Sequence, residues 1–321
     1  MVRHTAASAV PFVSSLALRK AAHWEPVHHE AVPNLPGEIV KTMPPRGPLQ
    51  QYRLSSAVPF TCHRCGGRKT SKLLTVVDSD DERLLCNGCY GRLSALWDLK
   101  AGDLPDNERD EAILALLDAM VTPAQIEAAQ ARLAVLSRHR ELSSPAQMVL
   151  ATAEAVTKSL RSATGLDWSA AVIGLCKAVE IEAVRRLMEP LREVTKDLDL
   201  TIDLADKDLS RLAKYCVGRA PAPELGSLAY TLTVAAKSRR RVSSSPLLNA
   251  LLRLTHDWAG GEWILAPDGL SAAASTLSRQ YRNPAAHTTV LNEDDFQECR
   301  RLVQGEDGLL SHLIRATLPR P

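Results

Sequence analysis

The sequence has no apolar run long enough to cross a membrane as a helix, which takes about 18 or more consecutive apolar residues. The longest uncharged stretch near its start, Thr5 to Leu18, is interrupted by Pro11 and three serines. That stretch is also too polar for a secretory signal and shows no clear cleavage box before Arg19 and Lys20. The chain has no excess of charge either, with 39 Lys and Arg against 37 Asp and Glu, so no global field selects a partner. Any nucleic-acid surface has to be a local patch. No segment recurs at a fixed period, which excludes a solenoid, and no glycine loop of the phosphate-cradling kind occurs. The seven cysteines are an odd number, with four in two close pairs and Cys176, Cys216 and Cys299 alone in apolar text. That excludes a disulfide framework and points to metal ligands plus buried thiols in a cytoplasmic protein.

What is present is a 321-residue chain, 45% hydrophobic and 24% charged, enough for a sizeable core and at least two domains. Residues 1–60 hold 8 of the 19 prolines and show neither a helical nor a strand period. They are expected to be a poorly ordered leader, in which His23, His28 and His29 are solvated. Residues 61–100 form a cysteine module, 101–149 a helical connector, 150–316 a helical bundle and 317–321 a tail.

The module carries the strongest signal. Cys62 and Cys65 are separated from Cys86 and Cys89 by 20 residues, close to the paired-knuckle spacing that surrounds one tetrahedral Zn²⁺ with four thiolates. Four cysteines leave no open coordination position, so the expected ion is structural, and it supplies much of the folding energy of so small a unit. Between the knuckles, Thr75, Val76 and Val77 precede the turn-like Asp78-Ser79-Asp80-Asp81, so a β-hairpin is expected, followed by a helix over Gly91 to Leu99. The wording Leu85-Cys86-Asn87-Gly88-Cys89-Tyr90 resembles the second knuckle of a treble-clef finger of the GATA type. It departs from that type in carrying four acidic residues between the knuckles and no tryptophan there. The expectation is therefore docking on nucleic acid or protein, not sequence-specific DNA reading.

Beyond Asp103 the text is helical. Thr122-Pro123-Ala124-Gln125, Ser144-Pro145-Ala146-Gln147 and Ser245-Pro246 each place a capping hydroxyl before a proline tolerated in a first helical turn. The clearest helix runs from about Asp167 to Val194, with Val172, Leu175, Cys176, Val179, Ala183, Leu187 and Leu191 as its packing stripe and Pro190 as a kink. Further helices are expected over 104–121, 124–142, 147–162, 204–217, 226–237, 271–282 and 294–304, with a short apolar stripe from Leu248 to Trp258. The fold class is thus mainly α, with strands confined to the cysteine module.

The second informative place is Tyr281-Arg282-Asn283-Pro284-Ala285-Ala286-His287. Arginine is a permanent planar cation matched to phosphate, and histidine changes charge near neutral pH. Together they suit cleavage of an RNA phosphodiester, where a base takes the 2′-hydroxyl proton, an acid protonates the leaving oxygen and a cation steadies the phosphate. One histidine does not readily do both proton transfers, so a two-fold dimer is expected. Pro284 disfavours a helical Asn283, so a helix break is expected there, with Asn283 capping the next turn and His287 turned toward Arg282.

Arg282, Asn283 and His287 in this helical setting resemble the Arg-x4-to-6-His motif of the HEPN superfamily, helical bundles found in RNA-cleaving toxins and antiviral effectors. The resemblance covers about residues 150–316 and includes Gly174 to Glu180 as an early bundle helix. It implies a metal-independent endoribonuclease with RNA as substrate, Arg282 and His287 catalytic, Asn283 positioning, a homodimeric site, and a partner protein of a toxin or defence system. Family toxins silenced by nucleotidylation carry a tyrosine two places after the histidine; Thr289 stands there in this chain. Lys237, Arg239, Arg240 and Arg241 form the sharpest basic run, expected in a loop where it can track an RNA backbone. The competing reading is a non-catalytic nucleic-acid-binding regulator or adaptor that uses the bundle to dimerise.

Overall fold

The computed structural model describes residues 34–320 apart from 47–48, 65, 78–79, 103, 137, 162–166 and 288. His23, His28, His29 and Cys65 therefore lie outside the described residues. The protein is mainly helical with a small N-terminal antiparallel sheet, strands β1 (Ile39–Thr42), β2 (Leu49–Thr61), β3 (Arg68–Val77) and β4 (Asp80–Leu85) lying in that order.

The expected hairpin is β3–β4, but two further strands fall inside the segment read as a leader, and strands are not confined to residues after Thr61. The reason that β2 lacks a legible alternation is physical. Its first four residues are buried on both faces, because the sheet is covered twice. Leu35, Tyr52, Leu54, Leu74, Val76 and Leu84 close a small core on one side, while Leu49, Val77 and Leu85 join the main core on the other. Doubly covered strands read as runs, not alternations. A register shift between Arg53 and Val58 further breaks the period. Pro59 is tolerated because β1 pairs only with residues 52–54, so the proline sits where β2 has one neighbour and its missing N–H faces a free edge.

Helix α1 (Asn87–Ala101) follows β4 directly and sends Cys89, Leu93 and Leu96 into the main core. Near its end, Lys100 is a wholly buried cation. Its Nζ donates to Asp167 Oδ2 at 2.7 Å, to Ser169 Oγ at 2.9 Å and to the Thr289 carbonyl. Burying an ammonium is costly unless it is paired and hydrogen-bonded; here three acceptors meet it. Asp167 in turn accepts from the Ser169 and Leu291 N–H groups. One lysine thus ties the helix of the cysteine module to the bundle and to the loop after His287.

The bundle comprises α2 (Asp106–Asp118), α3 (Pro123–Leu133), α4 (Ser144–Arg161), α5 (Ser169–Ala183), α6 (Glu189–Thr195), α7 (Thr201–Ala205), α8 (Ser210–Cys216), α9 (Leu225–Lys237), α10 (Arg239–Ser244), α11 (Pro246–His256), α12 (Gly261–Leu265), α13 (Leu270–Thr276), α14 (Asn283–Ala286), α15 (Glu293–Gln304) and α16 (Leu309–Ala316). Among the described residues no single helix is long and apolar enough to cross a membrane. Helix α5 is central, packed against α2, α4 and α15. The stripe from Val172 to Leu191 is buried as expected, and so is every other α5 residue except Lys177 and Ile181. A helix apolar nearly all round is a core helix. At Gly174 an added Cβ would stand 2.9 Å from the Ala153 Cβ, so the glycine is what lets α4 approach α5. The segment read as a connector contributes to this same core through Ile113, Leu117, Ala129 and Leu133.

Two prolines lie inside helical text, and both are met the same way. Pro190 follows a π-helical turn at Val184–Met188, and Pro284 follows another at Leu277–Arg282. A π turn widens the helix where the proline ring would crowd the carbonyl four residues back. The expected break at Asn283 is therefore absent: Asn283 is helical (φ −66°, ψ −47°) and caps nothing, and the helix ends at His287, whose N–H reaches the Asn283 carbonyl at 3.1 Å.

Other expectations differ in detail. The helix from 124 stops at Leu133 and is followed by a short turn at His139–Glu141. The helix expected over 204–217 is split because Asp206 Oδ1 accepts from the Asp208 and Leu209 N–H groups, a side-chain turn that competes with the helix. The caps at Thr122 and Ser245 are as expected. The basic run is not a loop: Ser238 caps α10, which begins at Arg239.

Candidate functional site

Cys62, Cys86 and Cys89 bring their Sγ atoms within 4.8 Å of one another. The order that builds this is a turn at Cys62, closed by the Gly66 N–H on the Cys62 carbonyl at 2.8 Å with Gly66 at φ +65°, then the β3–β4 hairpin, then a second turn at the start of α1. The Cys86 N–H donates to Cys62 Sγ at 3.3 Å. Sulfurs so close, aided by a backbone N–H, are the donor set that a soft or borderline metal takes. Burial and the neighbouring Cys62 sulfur push the Cys89 thiol up, as expected for thiols crowded together. The buried Arg64 guanidinium stands against Cys89 and Cys62. The three cysteines fit a metal ion.

The Arg–His motif is held by neighbouring residues of α2. Asp110 Oδ2 accepts from Arg282 Nη2 at 2.9 Å, and both side chains are buried, 4% and 3% exposed. Glu224 Oε2 lies 3.6 Å from the same Nη2. Arg109, one residue before Asp110, donates from Nη2 to the carbonyls of Gly102 (3.0 Å) and Leu104 (2.7 Å) and places Nη1 3.5 Å from His287 Nδ1. Arginine has no acceptor, so a hydrogen bond between the two is one that Arg109 Nη1 donates and Nδ1 accepts. His287 is exposed at the end of α14, and so is Asn283, whose Oδ1 is 3.4 Å from Arg282 Nη1. Arg282 thus points into the bundle, and the cation beside the exposed imidazole is Arg109.

Asp110 and Glu224 also line a cavity of about 810 Å³ between α2, α5, α8 and the segment 220–224. Glu180 is part of its wall and accepts from Lys177 at 3.2 Å through Oε2. Burial is the main cause that pushes the Asp110 carboxyl up to about 6, with Arg282 drawing it down and Glu180 pushing it up. Glu182, two residues from Glu180, serves the backbone instead. It accepts from the Ser143 N–H at 2.7 Å and from Arg186 Nε at 2.6 Å, fixing the start of α4.

The basic run divides. Arg241 is committed to Asp206 (2.6 Å) and Asp208 (2.8 Å), tying α10 to the turn before α8. Lys237 and Arg240 are exposed, and the Arg239 side chain lies outside the described residues. Trp258 belongs to the main core, and Trp263 stacks on His312 with ring centres 5.2 Å apart.

Arg109 and Asp110 were missed by sequence reading. They stand in Asn107-Glu108-Arg109-Asp110-Glu111, which reads as the solvated first turn of a helix. Their only sequence signal is position: three residues before Ile113 and seven before Leu117, Asp110 shares the apolar face. No family model, curated protein or solved structure matches the chain, so its class rests on these residues.

Proposed function

We propose that the protein is an endoribonuclease of the HEPN kind, metal-independent in its chemistry, acting as a homodimer with one structural Zn²⁺ in a treble-clef-like module. The observation that carries the reading is that two successive residues of α2 hold the two motif residues, Asp110 on Arg282 and Arg109 on His287. Arg282 is then the positioning residue, which anchors α2, and Arg109 is the cation next to the reacting groups. A phosphate bound there accepts from Arg109 and releases His287 Nδ1. Across a two-fold interface one ring takes the 2′-hydroxyl proton, O2′ attacks phosphorus, and the other ring gives its proton to the departing 5′-oxygen, leaving a 2′,3′-cyclic phosphate and a 5′-hydroxyl. In the zinc module, Cys65 would complete the set begun by Cys62, Cys86 and Cys89.

The test is cleavage of end-labelled RNA in EDTA by wild type, His287→Ala and Arg109→Ala, each checked for folding and zinc content. Wild type is expected to leave cyclic phosphate ends, with each variant down by about 100-fold or more, the usual scale for a general acid or base. Equal cleavage by the variants sinks the assignment. The burial of Arg282 favours one second reading, in which the motif is structural and the bundle serves a regulator or adaptor. No cleavage of several RNAs by any form selects it.

A further inference from the structure

Charge that is balanced over the whole chain is unbalanced on the sheet. Between Ile39 and Val77 the sequence holds seven Lys and Arg and no Asp or Glu. Two of the seven are committed: Arg46 pairs with Asp98, and Arg64 is buried against the cysteines. The other five, Lys41, Arg53, Arg68, Lys69 and Lys72, are exposed and make no ion pair among the described residues. Glu38, whose carbonyl accepts from the Ser55 N–H, pairs with none of them. Asp80, Asp81 and Glu82 belong to β4, which meets β3 at residues 75–77.

Two of these cations work against the fold. Lys41 and Arg53 stand directly opposite each other across β1 and β2, and like charges so placed destabilise a sheet. The other three lie in β3 where it forms an arm with the second half of β2. From Ser55 in β2, and as far as Leu73 in β3, every residue is exposed or half-buried. Among the described residues no third strand pairs with 58–61 or 68–71. A bare two-stranded ribbon is marginal in water, but this one is held at both ends. β1 and β4 flank its base, and at its tip the His63 N–H donates to the Leu84 carbonyl at 2.8 Å and the Cys86 N–H to Cys62 Sγ at 3.3 Å.

The outcome is an extended set of cations in fixed positions, with the Thr61 and Thr70 hydroxyls among them and the half-buried Phe60 opposite Lys69. Repulsion kept on such a surface is relieved by an anion that runs along it. A phosphodiester backbone accepts from Lys, Arg and hydroxyl groups in succession, and its bases stack on an aromatic ring. That mixture of donors and ring favours a nucleic acid over an acidic protein.

We propose that the β2–β3 arm, together with Lys41, is a nucleic-acid-binding surface that holds the phosphodiester backbone. It would give the ribonuclease reading a hold on its strand through residues that take no part in the cleavage chemistry.

The test is fluorescence anisotropy of a labelled oligouridine with full-length His287→Ala, which removes cleavage and leaves the arm intact. Five backbone contacts give a slope of log K against log salt of about −3.5, a loss of roughly 100-fold between about 50 and 200 mM. In the same background, Arg68→Gln with Lys69→Gln should weaken binding at least tenfold and make the slope shallower by about 1.4. Arg53→Gln should weaken binding at least threefold without lowering Tm, because it removes a facing like charge. Lys237→Gln with Arg240→Gln, which neutralises exposed cations elsewhere, should change the affinity less than twofold. Oligothymidine and an RNA duplex of equal length identify the source: equal affinities assign the backbone at large, and a preference for oligouridine assigns single-stranded RNA. No binding at micromolar protein in low salt, or affinity that falls with Lys237 and Arg240 but not with the arm, overturns the proposal. Poly-glutamate that competes as well as RNA would also overturn it and assign the arm to an acidic protein. Binding through the arm without RNA cleavage by wild type would remove the nuclease reading alone. His287-dependent cleavage with a KM indifferent to the arm variants would remove only this inference.

Discussion

The Arg282–Asp110 pair invites a quantitative perturbation, because it is both the anchor of the motif and an ion pair cut off from water. The two charges stand 2.9 Å apart with about 3–4% of each side chain exposed. Removing one member of such a pair leaves the other buried and uncompensated, which costs about 3–5 kcal/mol. Glu224 at 3.6 Å gives Arg282 a second neighbour but gives Asp110 nothing, so Arg282→Met should be the more damaging change and Asp110→Ala the milder one. At roughly 2–4 °C per kcal/mol for a unit of this size, the two should lower Tm by about 6–20 °C. Replacing both together removes the orphaned charge, so the double variant should recover at least about 2 kcal/mol of the summed loss. Thermal unfolding at neutral pH, followed by circular dichroism and checked by urea titration, reads all four proteins. Single variants that melt within about 2 °C of wild type, or effects that simply add, would refute the argument and return Arg282 to the surface as a solvated cation. The cycle also bears on the cleavage assay: loss of activity in an Arg282 variant mixes chemistry with unfolding, which is why His287 and Arg109 are the informative positions there.

Two other outcomes are expected. The unfolded-state carboxyl of Asp110 titrates near 3.8 and the folded one near 6, so the folded state holds the proton more tightly between those values. Its contribution to stability is then fully present below about pH 4 and falls as pH rises through 6, by roughly 3 kcal/mol at about 1.4 kcal/mol per unit. The stability difference between wild type and Asp110→Asn, measured by denaturant titration from pH 4 to 7, should decline over that window; a flat difference would contradict the burial argument. Metal analysis of purified protein should find one Zn²⁺ per chain, and Cys86→Ser should lose it and expose the β3–β4 hairpin to amide exchange while α4 and α5 stay protected. Retention of a full equivalent of metal by that variant would show that the ion lies elsewhere.

Much of the helical text was legible because its physics is local. Capping hydroxyls before proline, and apolar residues at three- and four-residue spacing, marked the starts of α3 and α11, gave α9 and α15 to within a few residues, and outlined as one helix the stretch that α5, the π turn and α6 fill. The cysteine spacing likewise foretold the cluster of Cys62, Cys86 and Cys89. What was not legible depends on distant partners. The two-sided cover of β2 comes from the small core around Leu35 on one side and the main core on the other, and neither leaves a trace in the local period. Asn283 stays helical because a π turn upstream makes room for Pro284, a device with no sequence signature of its own. Arg282 reads as a phosphate-facing cation in the linear text, and only the fold sets Asp110, 172 positions away, against it.

Lys100 bears on how this chain can change over time. Its three acceptors come from the start of α5 and the loop just past His287, yet the lysine itself belongs to the helix that opens at Cys86 and Cys89. A gene fragment beginning near residue 150 would inherit Arg282 and His287 without Lys100, Arg109 or Asp110, leaving buried carboxylates and a buried guanidinium without their counter-charges. The cysteine module and the bundle are therefore poor subjects for exchange by recombination. They are built as one heritable piece, because the helix that opens at the cysteines ends on the lysine that holds the loop just past the histidine.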